Sequence, residues 1–201
     1  MLTPRATRQS GTTMLEILVT LVILAFGLLG LAGLNAKIQT LDMEAYQRAQ
    51  AILLLQDITA RIKANNGNAS LYVPGSAGTT YGTAGDRYGT GYDDTSACAG
   101  TTQVDRDICD ISNALKGAAE SSSGTKLGAM IGARACVEQL VVPDPSTGVC
   151  APGSYRVTVA WQGMGATAAP SLTCGTGQYG ANEAYRRAIG STIVIGLPAC
   201  I

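Results

Sequence analysis

Glu16 is a carboxylate set inside an almost unbroken apolar run from Met14 to Leu34, and it poses the first chemical question of the chain. Placing a charge in a bilayer core costs on the order of 2.5 to 3.5 kcal/mol on insertion scales, so such a group is paired or held near a water boundary. Two readings follow: a hydrated residue at headgroup level, or a carboxylate neutralised by a cation from a neighbouring molecule. The second chemical set is six cysteines, Cys98, Cys109, Cys136, Cys150, Cys174 and Cys200, all in the second half. None forms a close C-x-x-C pair of metal-site spacing. An even number in a Gly/Ser/Thr-rich region behind a membrane-targeting segment points to disulfides made in an oxidising compartment. Closure of short loops favours Cys98–Cys109, Cys136–Cys150 and Cys174–Cys200, with other connectivities open. A third set, Asp105, Asp107 and Asp110, invites a calcium reading. On a helix these carboxylates point in different directions and lack the glycine turn of a calcium loop, so a solvated face is expected.

Histidine is absent, which removes the commonest general base and transition-metal ligand at neutral pH. No nucleophile, base and acid set is visible, so the expectation is a protein that is not an enzyme and uses no cofactor or metal. With 14 basic and 14 acidic residues, and no cluster of Lys or Arg, nothing favours nucleic acid as a partner.

Three kinds of segment must position these groups. Residues 1–11, MLTPRATRQSG, carry Arg5 and Arg8 and no acid, the cytoplasmic flank of an inserting segment under the positive-inside rule. The apolar run that follows is about 20 residues long, enough to cross a hydrocarbon core of roughly 30 Å as a helix. A secretory signal peptide has a shorter apolar core, ~7 to 15 residues, closed by a small-x-small site. The longer run, continuing into further helix, reads as a retained transmembrane segment. Gly27, Gly30 and Gly33 recur along it, a spacing suited to small-residue helix packing or to a helix that loosens.

From Asn35 to Asn66 no proline or glycine interrupts a helix, and Ile38, Leu41, Ala45, Ile52, Leu55 and Ile62 suggest an apolar stripe. Lys63 and Asn65-Asn66-Gly67 are stop signals. A helix from Thr13 to about Asn65 would be ~80 Å long. Residues 67–100 have loop composition, with a Tyr/Gly-rich stretch that could form a sugar-binding surface but suits a flexible connection better. Val104, Ile108, Ile111 and Leu115 then mark a second helix, capped by Thr102 and Asp105. Strands follow in CVEQLVV and YRVTVAWQ, joined through PDPSTG, and in RAIGSTIVIG at residues 187–196. In the second of these, Tyr155, Val157, Val159 and Trp161 share one face, expected to be the buried one. The fold class is α+β: a long N-terminal helix, part transmembrane and part amphipathic, packed on a small antiparallel sheet and stabilised by disulfides.

Gly11, Thr12, Thr13, Met14, Leu15 and Glu16, followed by the apolar run, resemble the prepilin motif of type IV pilins and of the pseudopilins of type II secretion. In that family a prepilin peptidase cuts after the glycine, the new N-terminus is methylated, and a glutamate stands fifth. The resemblance implies cleavage between Gly11 and Thr12, N-methylation of Thr12, where the family usually has phenylalanine, and a subunit-assembly role for Glu16. It implies a leader at 1–11, a transmembrane and assembly helix at 12–34, an amphipathic helix at 35–66 and a globular head at 67–201. LEILVTLVILAFGLLGLAGLN, GARAC, YRVTVAWQG and the terminal PAC look most like the PilV class of minor pilins. That class implies other minor and major pilins, the prepilin peptidase, an inner-membrane assembly platform and a tip adhesin as partners. It also implies residence as a single-pass inner-membrane protein with its head in the periplasm, then on the cell-surface pilus, where it primes assembly or forms the tip and supports adhesion or twitching. The alternatives are a minor pseudopilin of a type II secretion system and, in another class, a membrane-anchored exported binding domain or enzyme.

Overall fold

The computed structural model describes residues 13–73, 88–89, 98–117, 121–122, 125–126, 130–180 and 183–197. The chain divides into two compact units, residues 1–42 and 43–201. Helix α1, Met14–Ala64, contributes to both. In the first unit its side chains are exposed from end to end, and a run of them is long and apolar enough to cross a membrane once.

The second unit is the head. Its part of α1 buries Gln47, Ala51, Leu55, Ile58 and Ile62, at steps of four, four, three and four residues. These fall within roughly 80° of one helix face at 3.6 residues per turn. The apolar stripe expected from sequence is thereby corrected. Leu55 and Ile62 are buried as expected, but Ile38, Leu41, Ala45 and Ile52 are exposed. The helix carries two competing apolar stripes, and the head takes the one that also contains Gln47.

A 3₁₀ helix, Asn66–Tyr72, ends the first layer. Helix α2, Gln103–Leu115, starts on a capping box: the Thr102 hydroxyl accepts the Asp105 N–H at 3.1 Å, and the Asp105 carboxylate accepts the Thr102 N–H at 3.2 Å. Its inner face buries Val104, Ile108, Ile111 and Leu115. The strands are β1 (Tyr88–Gly89), β2 (Ser121–Ser122), β3 (Thr125–Lys126), β4 (Ile131–Val141), β5 (Gly153–Gln162) and β6 (Arg186–Ile195). Strands β2 and β3 pair with each other, and the main sheet is antiparallel in the order β1-β4-β5-β6. The hairpin β4–β5 sets Val137 opposite Val157, and β6 sets Ser191 opposite that same Val157.

One face of the sheet forms the main core. Ala135, Val137, Tyr155, Val157, Val159, Trp161, Ile193 and Ile195 meet the buried stripe of α1 and the inner face of α2. Each aliphatic side chain so buried contributes about 1.5 to 3 kcal/mol. The expectation that only this face of β5 is buried is corrected by a second, smaller cluster on the reverse, where Cys136, Ala160, Cys174 and Tyr179 pack together. Thr158 is buried as well. The connection from β5 to β6 folds back over that face, and the guanidinium of Arg186 holds it, donating to the carbonyls of Pro170, Leu172 and Cys174 and to Glu183.

The disulfides follow from this layering. Cys98 is bonded to Cys109, with Cα atoms 5.0 Å apart, the pairing that short-loop closure favours. Cys136 is bonded to Cys174, not to Cys150, across a Cα separation of 5.7 Å. The hairpin register explains the correction: Cys136 lies opposite Thr158, whereas Cys150 precedes Gly153 at the far end of β5. Five strand residues, roughly 17 Å, therefore separate Cys136 from the level of that turn, beyond disulfide reach. Because Cys174 is taken by Cys136, the Cys174–Cys200 pairing is also excluded. Cys150 is disulfide-bonded, and Cys200 lies outside the described residues.

Candidate functional site

The residues that the sequence marks out at the membrane-side end lie at the start of α1. Gly11 and Thr12 fall outside the described residues. The Thr13 carbonyl accepts the N–H groups of Glu16 at 3.0 Å and Ile17 at 3.3 Å, so Glu16 occupies the first turn of the helix. A carboxylate there is favoured by the positive end of the helix dipole. It has no hydrogen-bond or ion-pair partner among the described residues and is exposed, as are Leu15, Ile17, Leu18 and Val19 around it. The other polar side chain of the run, Thr20, donates to the carbonyl of Ile17 at 2.9 Å, which makes its hydroxyl compatible with an apolar medium. A Cβ built on Gly27, Gly30 or Gly33 meets nothing within 4 Å, so packing inside the chain gives no reason for these glycines.

In the head's part of α1, Met43, Tyr46, Ile52 and Leu53 are exposed. Stability calls for Gln47, Ala51, Leu55, Ile58 and Ile62; it does not call for these four. Larger exposed apolar patches are commonly interaction or membrane sites.

Several of the head's charged groups are tied up in structure. Asp107 accepts the Tyr72 hydroxyl, Gln103 Nε2 at 2.9 Å and Arg61 Nη1 at 3.1 Å, and Arg61 also reaches Asp57 and Asp110. Asp105 closes the capping box. The expected solvated face is thus corrected at Asp107, which is buried and joins the end of α1 to α2. Burial, and then the hydrogen bond to Asp107, push the Tyr72 hydroxyl up to about 12. Burial works against the Arg61 guanidinium, but the carboxylates of Asp57, Asp110 and Asp107 outweigh it and raise its pKa. No group of His, Cys, Asp and Glu suited to a metal occurs among the described residues.

Sequence reasoning missed a clamp at the base of the head. Glu44 accepts the N–H groups of Met164 at 3.1 Å and Gly165 at 3.2 Å and pairs with Arg187 at 3.1 Å. Arg187 in turn donates to the Gly165 carbonyl at 2.7 Å and the Thr167 hydroxyl at 2.6 Å. The contacts of Glu44 span more than a hundred residues of sequence, and no local pattern announces them.

A scan of protein-family models and searches of curated proteins and of solved structures find no match. The class is defined by the architecture itself: a long, partly apolar N-terminal helix packed on a small antiparallel sheet and stabilised by disulfides is a type-IV-pilin-like fold.

Proposed function

We propose that this chain is a minor pilin of a type IV pilus, of the PilV class. Prepilin peptidase cuts it after Gly11, Thr12 becomes the methylated N-terminus, and α1 holds it in the inner membrane with the head in the periplasm. The assembly platform then moves it into a pilus with other minor and major pilins, where it primes assembly or forms the tip beside an adhesin and serves adhesion or twitching. Its role is structural rather than catalytic.

The observation that carries this reading is the exposed apolar surface of α1, with the Glu16 carboxylate in its first turn lacking a partner among the described residues. Cleavage frees an α-amino group on Thr12, charged at neutral pH. In a bundle of such helices that ammonium pairs with Glu16 of a neighbour, which relieves two buried charges at once and fixes axial register, while the apolar faces supply adhesion. N-terminal mass spectrometry of the membrane form should find a mature chain beginning at methylated Thr12. Cleavage near Ala32 to Ala36 would instead mark an ordinary secreted protein. Immunoblotting of sheared surface fibres should recover the chain; its absence from fibres with normal secretion lost on deletion would favour the pseudopilin alternative.

A further inference from the structure

Strand β6 is the last strand of the main sheet and, among the described residues, pairs on one side only. Its ladder with β5 runs through all ten residues without a register shift, so the strand is regular to its end. Alternate residues of such a strand turn their N–H and C=O groups away from the sheet. No backbone hydrogen bond from Ala188–Ile195 other than those to β5 occurs among the described residues. Gly190, Ser191 and Thr192 are exposed, and Val194 is 62% exposed.

Open edges are normally blunted by charge, proline, bulges or short strands. The opposite side of the sheet uses two of these devices: β1 has two residues, and β4 carries register shifts between Ile131 and Arg134 and between Gln139 and Val141. From Ala188 to Ile195 the sequence AIGSTIVI has no charge and no proline. This edge is left able to pair.

Beside it runs a groove of about 350 Å³ lined by Ile52, Leu55, Gln56, Thr59 and Lys63 of α1 and by Ser191 of β6. Two of its polar groups lack partners. The Thr59 hydroxyl oxygen is buried with no hydrogen bond, and Lys63 makes no ion pair among the described residues. All these residues belong to the head.

We propose that the β6 edge and this groove bind an extended peptide strand of a partner protein, apolar with one carboxylate. The strand adds to the sheet through main-chain hydrogen bonds, as in β-augmentation. One of its apolar side chains enters the groove against Ile52 and Leu55, and its carboxylate meets Lys63. Apart from Ile52, the site shares no residue with the apolar surface of α1 described above, and it does not rest on the reading of the chain as a pilin.

The test uses the full chain in detergent and an eight-residue peptide of alternating valine and threonine with one glutamate. A twin carries lysine in place of the glutamate, and a third has alternate backbone nitrogens methylated. The glutamate peptide should bind saturably and slow amide exchange at residues 190–194. Backbone methylation should weaken binding about tenfold or more, because it removes the ladder. Ser191→Lys, at an exposed position whose fold is checked by circular dichroism, should weaken it similarly. Lys63→Glu should reverse the preference toward the lysine peptide. Absence of saturable binding, survival of binding after backbone methylation, unchanged exchange at 190–194, or retained glutamate preference in Lys63→Glu would each overturn the proposal. So would self-association of the chain that Ser191→Lys abolishes, which would give the edge to a second copy.

Discussion

The two units of this chain solve the burial of apolar surface in opposite ways. The head encloses its own core: Ile58, Ile62, Tyr155 and Val157 are shielded within it, and disulfides tie its layers together. The first unit encloses nothing. Phe26 is 71% exposed and Leu29 equally so, and every neighbour of Glu16 along the helix lies open. A helix exposing this much apolar surface requires lipid or other helices around it. The head's stability is therefore a property of the chain, and the first unit's is a property of its surroundings.

That contrast is most strongly tested by removing the disulfide on the reverse of the sheet. Cys136→Ala with Cys174→Ala opens a loop of 38 residues and should lower head stability by about 4 kcal/mol in the chain-entropy picture, read as a drop in the denaturation midpoint. Next in size, Ile58→Ala empties a site with no solvent exposure and should cost about 2 to 5 kcal/mol. Ile23→Ala in the first unit should leave the head's unfolding transition within about 0.5 kcal/mol. An equal loss from both would erase the distinction between the units.

A pH dependence sharpens the same point inside the head. Because the folded state holds the Tyr72 proton up to about 12 while an unfolded tyrosine releases it near its ordinary value of 10.0, this contribution is complete below pH 10 and is lost as pH rises toward 12. Denaturant midpoints should fall across that window, and Tyr72→Phe should flatten the fall while lowering stability at neutral pH through the lost bond to Asp107. Smallest of the set, Thr102→Ala should cost about 1 kcal/mol through the capping box, measured on the same transition.

What the sequence reveals of this fold is what local chemistry controls. The start and stop of α1, the Thr102 and Asp105 cap, the face of α2 and the core-facing side of β5 depend on neighbours a few residues away and are readable at their own positions. The choice between two stripes on α1 is not local. Gln47 lies on the buried one although its side chain is polar, while the exposed stripe holds the more apolar Ile38, Leu41 and Ile52. The same limit hid the partner of Cys136, which depends on how the segment between β5 and β6 folds back under Arg186. The Glu44 and Arg187 clamp was hidden for the same reason. For the candidate site the situation is reversed: Glu16 stands out in sequence because it interrupts an apolar run, and the structure adds that its carboxylate has no partner among the described residues.

On the pilin reading, Glu16 acts between molecules and not within one. Glu16→Ala removes a charge from the apolar helix and should insert at least as readily, with leader cleavage and head stability unchanged. In a bundle, however, the Thr12 ammonium of the neighbouring subunit would lose its carboxylate, and an unpaired buried charge costs several kcal/mol. The deciding measurement is the amount of chain in sheared fibres relative to membranes, mutant against wild type at matched expression. That ratio should fall tenfold or more, the equivalent of about 1.4 kcal/mol; an unchanged ratio would show that Glu16 is only a hydrated boundary residue and that apolar contact alone drives assembly.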